Sequence, residues 1–337
     1  MNERTPKTPP IIAPVPIQVR RPLWSVMIPS YNCAVFLKET IESVLANNVG
    51  AHKMQIEVID DHSTDDDIEK LVREVGKGRV AFFQQKKNVG SLRNFETCIN
   101  RAKGEWLHIL HGDDKISKGF YEEIENLFIS YPEAAAGFTN FCHIDEKGNI
   151  MSVNEETPKN IGLIKDFLPQ IAAINVIQPP AIVVKRKVYE RLGGFFGVHY
   201  GEDWEMWVRI AANYPVAYSS KCLAMYRYLR YNSISNSSLQ SGQNSKDMLT
   251  VIDIIQNYLP EQDKKKLKNE AKKNFSRYFA HCAHFVYREY HNKKAALYQA
   301  KLALSMHVNR TTISSLIKLY IKFILTFFGK KTIYEKR

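Results

Sequence analysis

Cysteine is scarce and poorly placed for bonding: Cys33, Cys98, Cys142, Cys222 and Cys282 are odd in number, widely scattered and never at CxxC spacing. Neither a disulfide framework nor a cysteine zinc cage is indicated, and a reducing cytosolic compartment fits best. The chain has no Walker P-loop, no GxGxxG fingerprint and no nucleophile elbow, the usual marks of P-loop NTPases, dinucleotide enzymes and α/β-hydrolases. Long apolar runs are missing too. The N-terminus, with Pro6, Pro9, Pro10, Pro14, Pro16 and Pro22, lacks the uninterrupted apolar core of a signal peptide and reads as a Pro-rich flexible leader over residues 1–22. No internal repeat is evident. What remains is ordinary: 337 residues at 45% hydrophobic content exclude whole-chain disorder and suit one large domain with a smaller one.

Net charge is +12, and its distribution tells more than its size. Residues 1–240 carry 28 Lys+Arg against 28 Asp+Glu, whereas residues 241–337 carry 19 against 7. The whole excess lies in the C-terminal part, where it suits nucleic acid or an anionic membrane surface. Periodicity must decide between them. The lysines at 264–266, 268, 272 and 273 sit among Phe275, Tyr278 and Phe279 at helical spacing, which reads as a core face and argues against a nucleic-acid partner. Residues 311–328 plot as an amphipathic helix: Thr311, Ser315, Lys318, Lys322 and Thr326 form a polar stripe, apolar residues cover the rest, and Lys330, Lys331, Lys336 and Arg337 follow. It is too short and too charged to span a bilayer, which takes about 20 apolar residues. Two readings stay open, a helix lying in the membrane interface and one packed on the helices before it.

The first 235 residues alternate. A strand at 23–28 is stopped by Pro29-Ser30-Tyr31-Asn32, a helix starts at Ala34, and a second strand at 55–59 runs into Asp60-Asp61-His62-Ser63-Thr64-Asp65. Strand, helix, strand is the βαβ signature of a parallel sheet. Further helices are expected at 68–75, 92–102, 121–131 and 188–192, with strands at 79–83, 105–110, 136–142 and 181–184. A Ser/Asn-rich linker is expected at 232–244, then a helical hairpin of 259–290 and 294–307 turning at His291-Asn292. His281 and His284 at i, i+3 read as packing or surface residues rather than metal ligands.

Three acidic sites punctuate this pattern: Asp60-Asp61 after the second strand, Asp113-Asp114 after the fourth, and Glu202-Asp203 at the start of a helix. In a parallel sheet the first two share an edge, where open α/β folds bind ligands. Adjacent carboxylates there offer hard oxygens to a divalent metal holding a phosphate. A third carboxylate could act as a base.

The order of these motifs resembles the family 2 glycosyltransferases. The matching stretches are Val26 to Asn32, Glu57 to Asp65, Asn88 to Asn94, Gly104 to Asp114, Gly193-Gly194-Phe195 and Glu202 to Arg209. The resemblance implies a GT-A domain over 23–235, an α/β fold with a mixed, mainly parallel central sheet, followed by a basic helical region over 236–337. It implies that Pro29, Tyr31, Asn32, Asp60, Asp61, Gly90, Arg93 and Asp113 bind a nucleotide-diphosphate sugar. Asp113 and Asp114 would hold Mn²⁺ or Mg²⁺, Asp203 would be the catalytic base of an inverting transfer, and Glu202 and Trp204 would bind the acceptor. His111 stands where the family's metal motif begins with an acid. No histidine occurs near Tyr226 to Ser233, so Arg227 or Arg230 is expected to meet phosphate instead. The expected acceptor is a glycan or lipid carrier at the cytoplasmic membrane face. The alternatives are a soluble or protein acceptor, and a catalytically silent module used for binding or assembly.

Overall fold

The computed structural model describes residues 4–158, 160–228 and 234–334, the last including side chains only for 236–325. Arg230, Lys336 and Arg337, named above, lie outside the described residues, as do the side chains of Thr326, Lys330 and Lys331. The chain divides into two compact units, Met1–Ile171 with Asn175–Arg230, and Ala172–Ile174 with Tyr231–Arg337.

In chain order the elements begin with β1 (Trp24–Ser30), α1 (Ala34–Leu45), β2 (Met54–Asp60), α2 (Ile68–Gly76), β3 (Ala81–Gln84), α3 (Ser91–Arg101), β4 (Trp106–Ile109), β5 (Lys115–Ile116) and α4 (Phe120–Ser130). They continue with β6 (Ala136–Ile144), β7 (Ile150–Val153), β8 (Gly162–Leu163), α5 (Phe167–Ala173), β9 (Ile182–Lys185), α6 (Arg186–Leu192), α7 (Glu202–Asn213) and β10 (Val216–Arg227). The sheet runs β3-β2-β1-β4-β9-β6-β10-β5, with β7 on β6 and β8 on β10. Strands β3, β2, β1 and β4 are mutually parallel. Strand β9 is antiparallel to both β4 and β6, and β10 runs parallel to β6.

Every residue of β1 is buried, as expected of a central strand covered on both faces. Trp24 packs edge-on to Trp106, ring centroids 4.8 Å apart, and to Tyr121 at 4.9 Å. Gly104 precedes β4 because nothing larger fits: a Cβ there would lie 2.5 Å from the backbone of Trp24 and Ser25. The register pairs Ser30 with Asp60 and Met27 with Ile109. The loops after β1, β2 and β4 therefore leave one edge of the sheet together.

The leader was expected to be flexible, and residues 5–13 instead lie along the first unit as its own backbone partners. Pro6 O and Pro10 O accept from the Gly197 and Gly194 amides at 2.9 Å, Ala13 O accepts from Arg186 Nη2 at 3.1 Å, and Ile12 is buried. Proline supplies no amide donor but keeps its carbonyl, so an extended Pro-rich segment can be held by donors of the domain.

The second unit is helical: α8 (Ile234–Ser241), α9 (Gln243–Ile255), α10 (Glu261–Tyr290), α11 (Lys293–Met306) and α12 (Arg310–Tyr334). The expected linker at 232–244 is thus mostly helix. Serine and asparagine are weak helix formers, but tertiary packing overrides propensity: Leu239 is buried and its carbonyl accepts from Gln299 Nε2 at 2.7 Å. The hairpin of α10 and α11 turns at His291, which adopts a left-handed φ of 49°. Phe275 and Phe279 are buried core residues of α10, and His284 bonds the Ser315 carbonyl through Nε2 at 2.8 Å.

On α12 the residues Thr312, Leu316, Leu319 and Phe323 are buried, with Phe323 4.5 Å from the Tyr287 ring of α10. A second row, Ile313, Ile317, Tyr320, Ile321 and Ile324, is exposed. Among the described residues no helix is long and apolar enough to cross a membrane.

Candidate functional site

The loop after β1 leaves Tyr31 as an exposed ring, 46% accessible. Asn32 takes a positive φ of 46°, and its Oδ1 accepts from Thr64 N at 2.9 Å while its own amide donates to Ser63 Oγ. Pro29 is buried in β1. The loops after β1 and β2 are thus stitched to each other.

Asp60 and Asp61 were expected to reach a base and ribose, and the structure turns both inward. Asp60 is fully buried and accepts from Ser63 N at 2.9 Å and Gln84 Nε2 at 3.1 Å. Asp61, 2% exposed, accepts from Val89 N at 2.7 Å, Gly90 N at 2.9 Å and Asn88 Nδ2 at 2.9 Å. Burial raises the Asp61 carboxyl above its ordinary value, while the Val89 and Gly90 amides oppose that rise. A carboxylate that receives several N–H bonds fixes the backbone that donates them. Asp61 accordingly sets the Asn88–Gly90 turn that starts α3, whose first turn carries Arg93 paired with Glu96 at 2.6 Å. Asn94 anchors the same helix to the Ile59 carbonyl at 2.8 Å.

The loop after β4 holds His111, Asp113 and Asp114, whose possible ligand atoms lie within 4.8 Å of one another. Gly112 seats it, since a Cβ would meet Cys33 Sγ at 2.9 Å and Pro29 O at 3.1 Å. Asp114 is 1% exposed and its Oδ1 accepts from Arg227 N at 2.8 Å, while Asp113 keeps its carboxylate partly exposed and offers its carbonyl to Arg227 Nε at 2.7 Å. Two carboxylates and an imidazole form a donor set that suits Mn²⁺ or Mg²⁺, the nitrogen favouring the former. The residues present therefore fit a divalent cation. Sequence reasoning credited the two aspartates and missed His111, although an imidazole two residues before an aspartate is itself a metal donor.

Arg227 does not meet phosphate. Its side chain is fully buried, lies over the Phe36 ring at 4.5 Å, and donates to Asp113 O, Asp145 O at 2.7 Å, Glu146 O at 2.9 Å and Glu39 Oε2 at 3.1 Å. Those bonds occupy the guanidinium with the protein itself.

Glu202 and Asp203 open α7, and a small cavity is lined by both of them with His111, Trp207, Phe95 and Phe195. The His111 ring stacks on Phe95, centroids 5.1 Å apart. Burial raises the Asp203 carboxyl to about 6; the Trp204 amide and the Asn175 side chain oppose it. At neutral pH it is ionised yet near the pH where a base works best.

Trp204 does not line this cavity. It is fully buried and donates Nε1 to the Ile171 carbonyl at 2.6 Å, and the wall belongs to Trp207. Positions four apart share a helix face, so Trp207 follows Asp203 whereas Trp204 is turned to the core.

Residues 25–193, half of the chain, match the family described as glycosyl transferase family 2. The chondroitin synthase of Escherichia coli is 31% identical over 135 residues, 40% of this chain and 19% of that protein. The chain spans a third or less of the length of several relatives it matches. Among solved structures, S. aureus TarS 1-349 in complex with UDP-GlcNAc aligns with a TM-score of 0.62 at 15% identity, covering 83% of this chain and 79% of that one. The mannosyltransferase PcManGT from Pyrobaculum calidifontis, in complex with GDP-Man and Mn²⁺, gives 0.57 at 16% identity, covering 95% and 84%. These likenesses show a GT-A fold. Because the matched stretch runs from the first strand to the glycine that ends α6, and includes the loops that carry all but the last of the acidic sites, the chain belongs to glycosyl transferase family 2.

Proposed function

We propose that the protein is an inverting glycosyltransferase that moves a sugar from a nucleotide-diphosphate sugar to an acceptor hydroxyl, in the synthesis of a surface polysaccharide or lipid-linked glycan. The observation that carries this reading is that one cavity is lined both by His111 of the candidate metal cluster and by Glu202 and Asp203. A charge clamp and a base thus adjoin one space, as a single displacement needs. The polysaccharide context draws on the chondroitin synthase among the relatives, and the donor class on UDP-GlcNAc and GDP-Man in the structural neighbours.

In this reading the exposed Tyr31 ring and Asn32 receive the nucleobase beside Pro29, while Asp60 and Asp61 act through the turns they hold. Gly90 and Arg93, at the start of α3, face the diphosphate, where the helix N-terminus and the guanidinium both favour anions. Asp113 and Asp114, with His111, would hold Mn²⁺ or Mg²⁺, and the ion would neutralise charge on the departing diphosphate. Asp203 takes the acceptor hydroxyl's proton as that oxygen bonds to the anomeric carbon. The carbon–oxygen bond to the diphosphate breaks with its electrons on the leaving group, and the configuration inverts. Glu202 orients the acceptor against Trp207.

The exposed apolar row of α12, flanked by Lys318 and Lys322, is proposed to rest on an anionic membrane at its cytoplasmic face. A thermal-shift screen of UDP-GlcNAc and GDP-mannose with and without MnCl₂ tests the enzyme reading: stabilisation by at least one, and nucleoside diphosphate release lost in Asp203→Ala with donor binding kept, are expected. Donor binding with no turnover in the unaltered protein would instead favour a silent binding module.

A further inference from the structure

Asn175 lies in the irregular stretch between α5 and β9, where no sequence motif marks it. Its Nδ2 donates to Asp203 Oδ2 at 3.2 Å, and its Oδ1 accepts from the Ile177 amide at 3.1 Å. The second bond settles the orientation of the amide. A backbone N–H can meet only the oxygen, so the NH₂ end must face the carboxylate. The neighbours Val176 and Ile177 are buried at 5% and 1% exposure, which fixes the turn that carries the side chain. The same stretch continues to Pro179 and Ile182, both on the wall of the cavity that Asp203 lines.

The carboxylate of Asp203 also receives the Trp204 amide and its own amide, both from its own helix, so Asn175 is a donor that reaches it from outside that helix. Asp203 stands in the first turn of α7, after a glycine N-cap that contributes no side-chain bond. A carboxylate can rotate about its terminal bond, and a base works only when one lone pair points at the proton to be taken. A donor on one oxygen from outside the helix, added to amides from within it, fixes that rotation. The donor also favours the charged form over the protonated one.

We infer that Asn175 is a positioning residue for Asp203: its amide pins Oδ2 and so sets the rotation at which the carboxylate faces the acceptor hydroxyl. This rests on the reading of Asp203 as the base. The residue touches no reacting atom and acts through its neighbour.

Two substitutions separate this role from a structural one. Asn175→Asp keeps the oxygen that accepts from Ile177 but removes the donor and sets a like charge beside Asp203, whereas Asn175→Ala removes both bonds. Each would be assayed for nucleoside diphosphate release from UDP-GlcNAc or GDP-mannose, whichever the unaltered protein turns over, with Mn²⁺ present, alongside donor Kd and Tm. A lost orienting contact costs roughly 10- to 100-fold in kcat. The expected result is that loss in both variants, with donor Kd within about twofold of the unaltered protein, and with the Tm of Asn175→Asp lowered at neutral pH by the like charge and recovered as the pH falls. Full kcat in Asn175→Asp would overturn the inference, as would a fall in donor affinity matching the fall in kcat. Asp203→Asn is run beside them: if it keeps full activity the base assignment itself fails, whereas an inactive Asp203→Asn with an active Asn175→Asp sinks only the positioning role.

Discussion

A half-buried aspartate that keeps its proton up to about pH 6 weakens the fold at neutral pH. The ordinary value is 3.8 and the folded value of Asp203 is about 6, raised by burial. A raised carboxyl stabilises fully below 3.8 and loses that contribution as the pH climbs through 6. At pH 7.5 the ionised group therefore costs on the order of 1–2 kcal/mol, after allowance for its partial exposure. Asp203→Asn removes the charge and keeps the shape. It should melt at a higher temperature than the unaltered protein at pH 7.5 and show no such advantage at pH 4, in a scan of melting temperature against pH. A variant less stable at both values would contradict the buried-charge account. The same group predicts that kcat/KM rises about tenfold per pH unit below about 6 and levels above it. Sites that give up stability for function behave this way.

At the scale of elements, Arg227 is the joint of the site. Standing at the end of β10, it ties the Asp113 loop, the β6–β7 turn and Glu39 of α1 through one fully buried guanidinium. Removing it strips a donor from three carbonyls and a carboxylate, of which Asp145 O keeps the Gly148 amide and Glu39 keeps Lys115, and losing one partner of a buried charged set costs about 3–5 kcal/mol. Arg227→Ala should lower the urea midpoint by a corresponding amount. Arg227→Lys should recover little, since an ammonium cannot fork between groups on separate elements; recovery by lysine would refute the account. This residue marks the limit of what the sequence revealed. The alternating strands and helices up to Cys142 were legible because buried strands and amphipathic helices leave regular apolar periods, and the α10–α11 turn because it breaks one. Arg227 was mistaken for a phosphate ligand because its partners are mostly carbonyls, which carry no signature in side-chain order. Asn175 escaped notice because one partner is a backbone amide and the other, Asp203, stands 28 residues away in the chain. Trp204 was chosen where Trp207, three residues further along the helix, lines the cavity, and the leader was misjudged by the absence of any apolar period in a segment held through its carbonyls.

At the scale of the whole molecule, the division of charge is the feature that local contacts leave unexplained. Residues 1–240 are balanced and the remainder carries the full +12, and ion pairs such as Lys264 with Glu261 within α10 and Lys268 with Asp253 of α9 engage only part of its lysines. On α12 one face is used by packing through Leu316, Leu319 and Phe323, so the exposed row from Ile313 to Ile324 is surplus to the helical unit's own core. Packing and membrane contact, posed as alternatives by the sequence, use different faces of one helix and are compatible. An exposed apolar row beside lysines binds anionic bilayers by two additive effects, burial of apolar area and about 1 kcal/mol for each basic residue near the surface. The protein should therefore co-sediment with vesicles containing phosphatidylglycerol, less with pure phosphatidylcholine, and less again at high salt because the ionic part is screened. Ile317→Glu with Ile321→Glu should abolish co-sedimentation while the thermal shift given by donor and Mn²⁺ stays as in the unaltered protein. If the double variant sediments undiminished, the exposed row is not the contact. If sedimentation is indifferent to both salt and phosphatidylglycerol, the basic excess serves another partner.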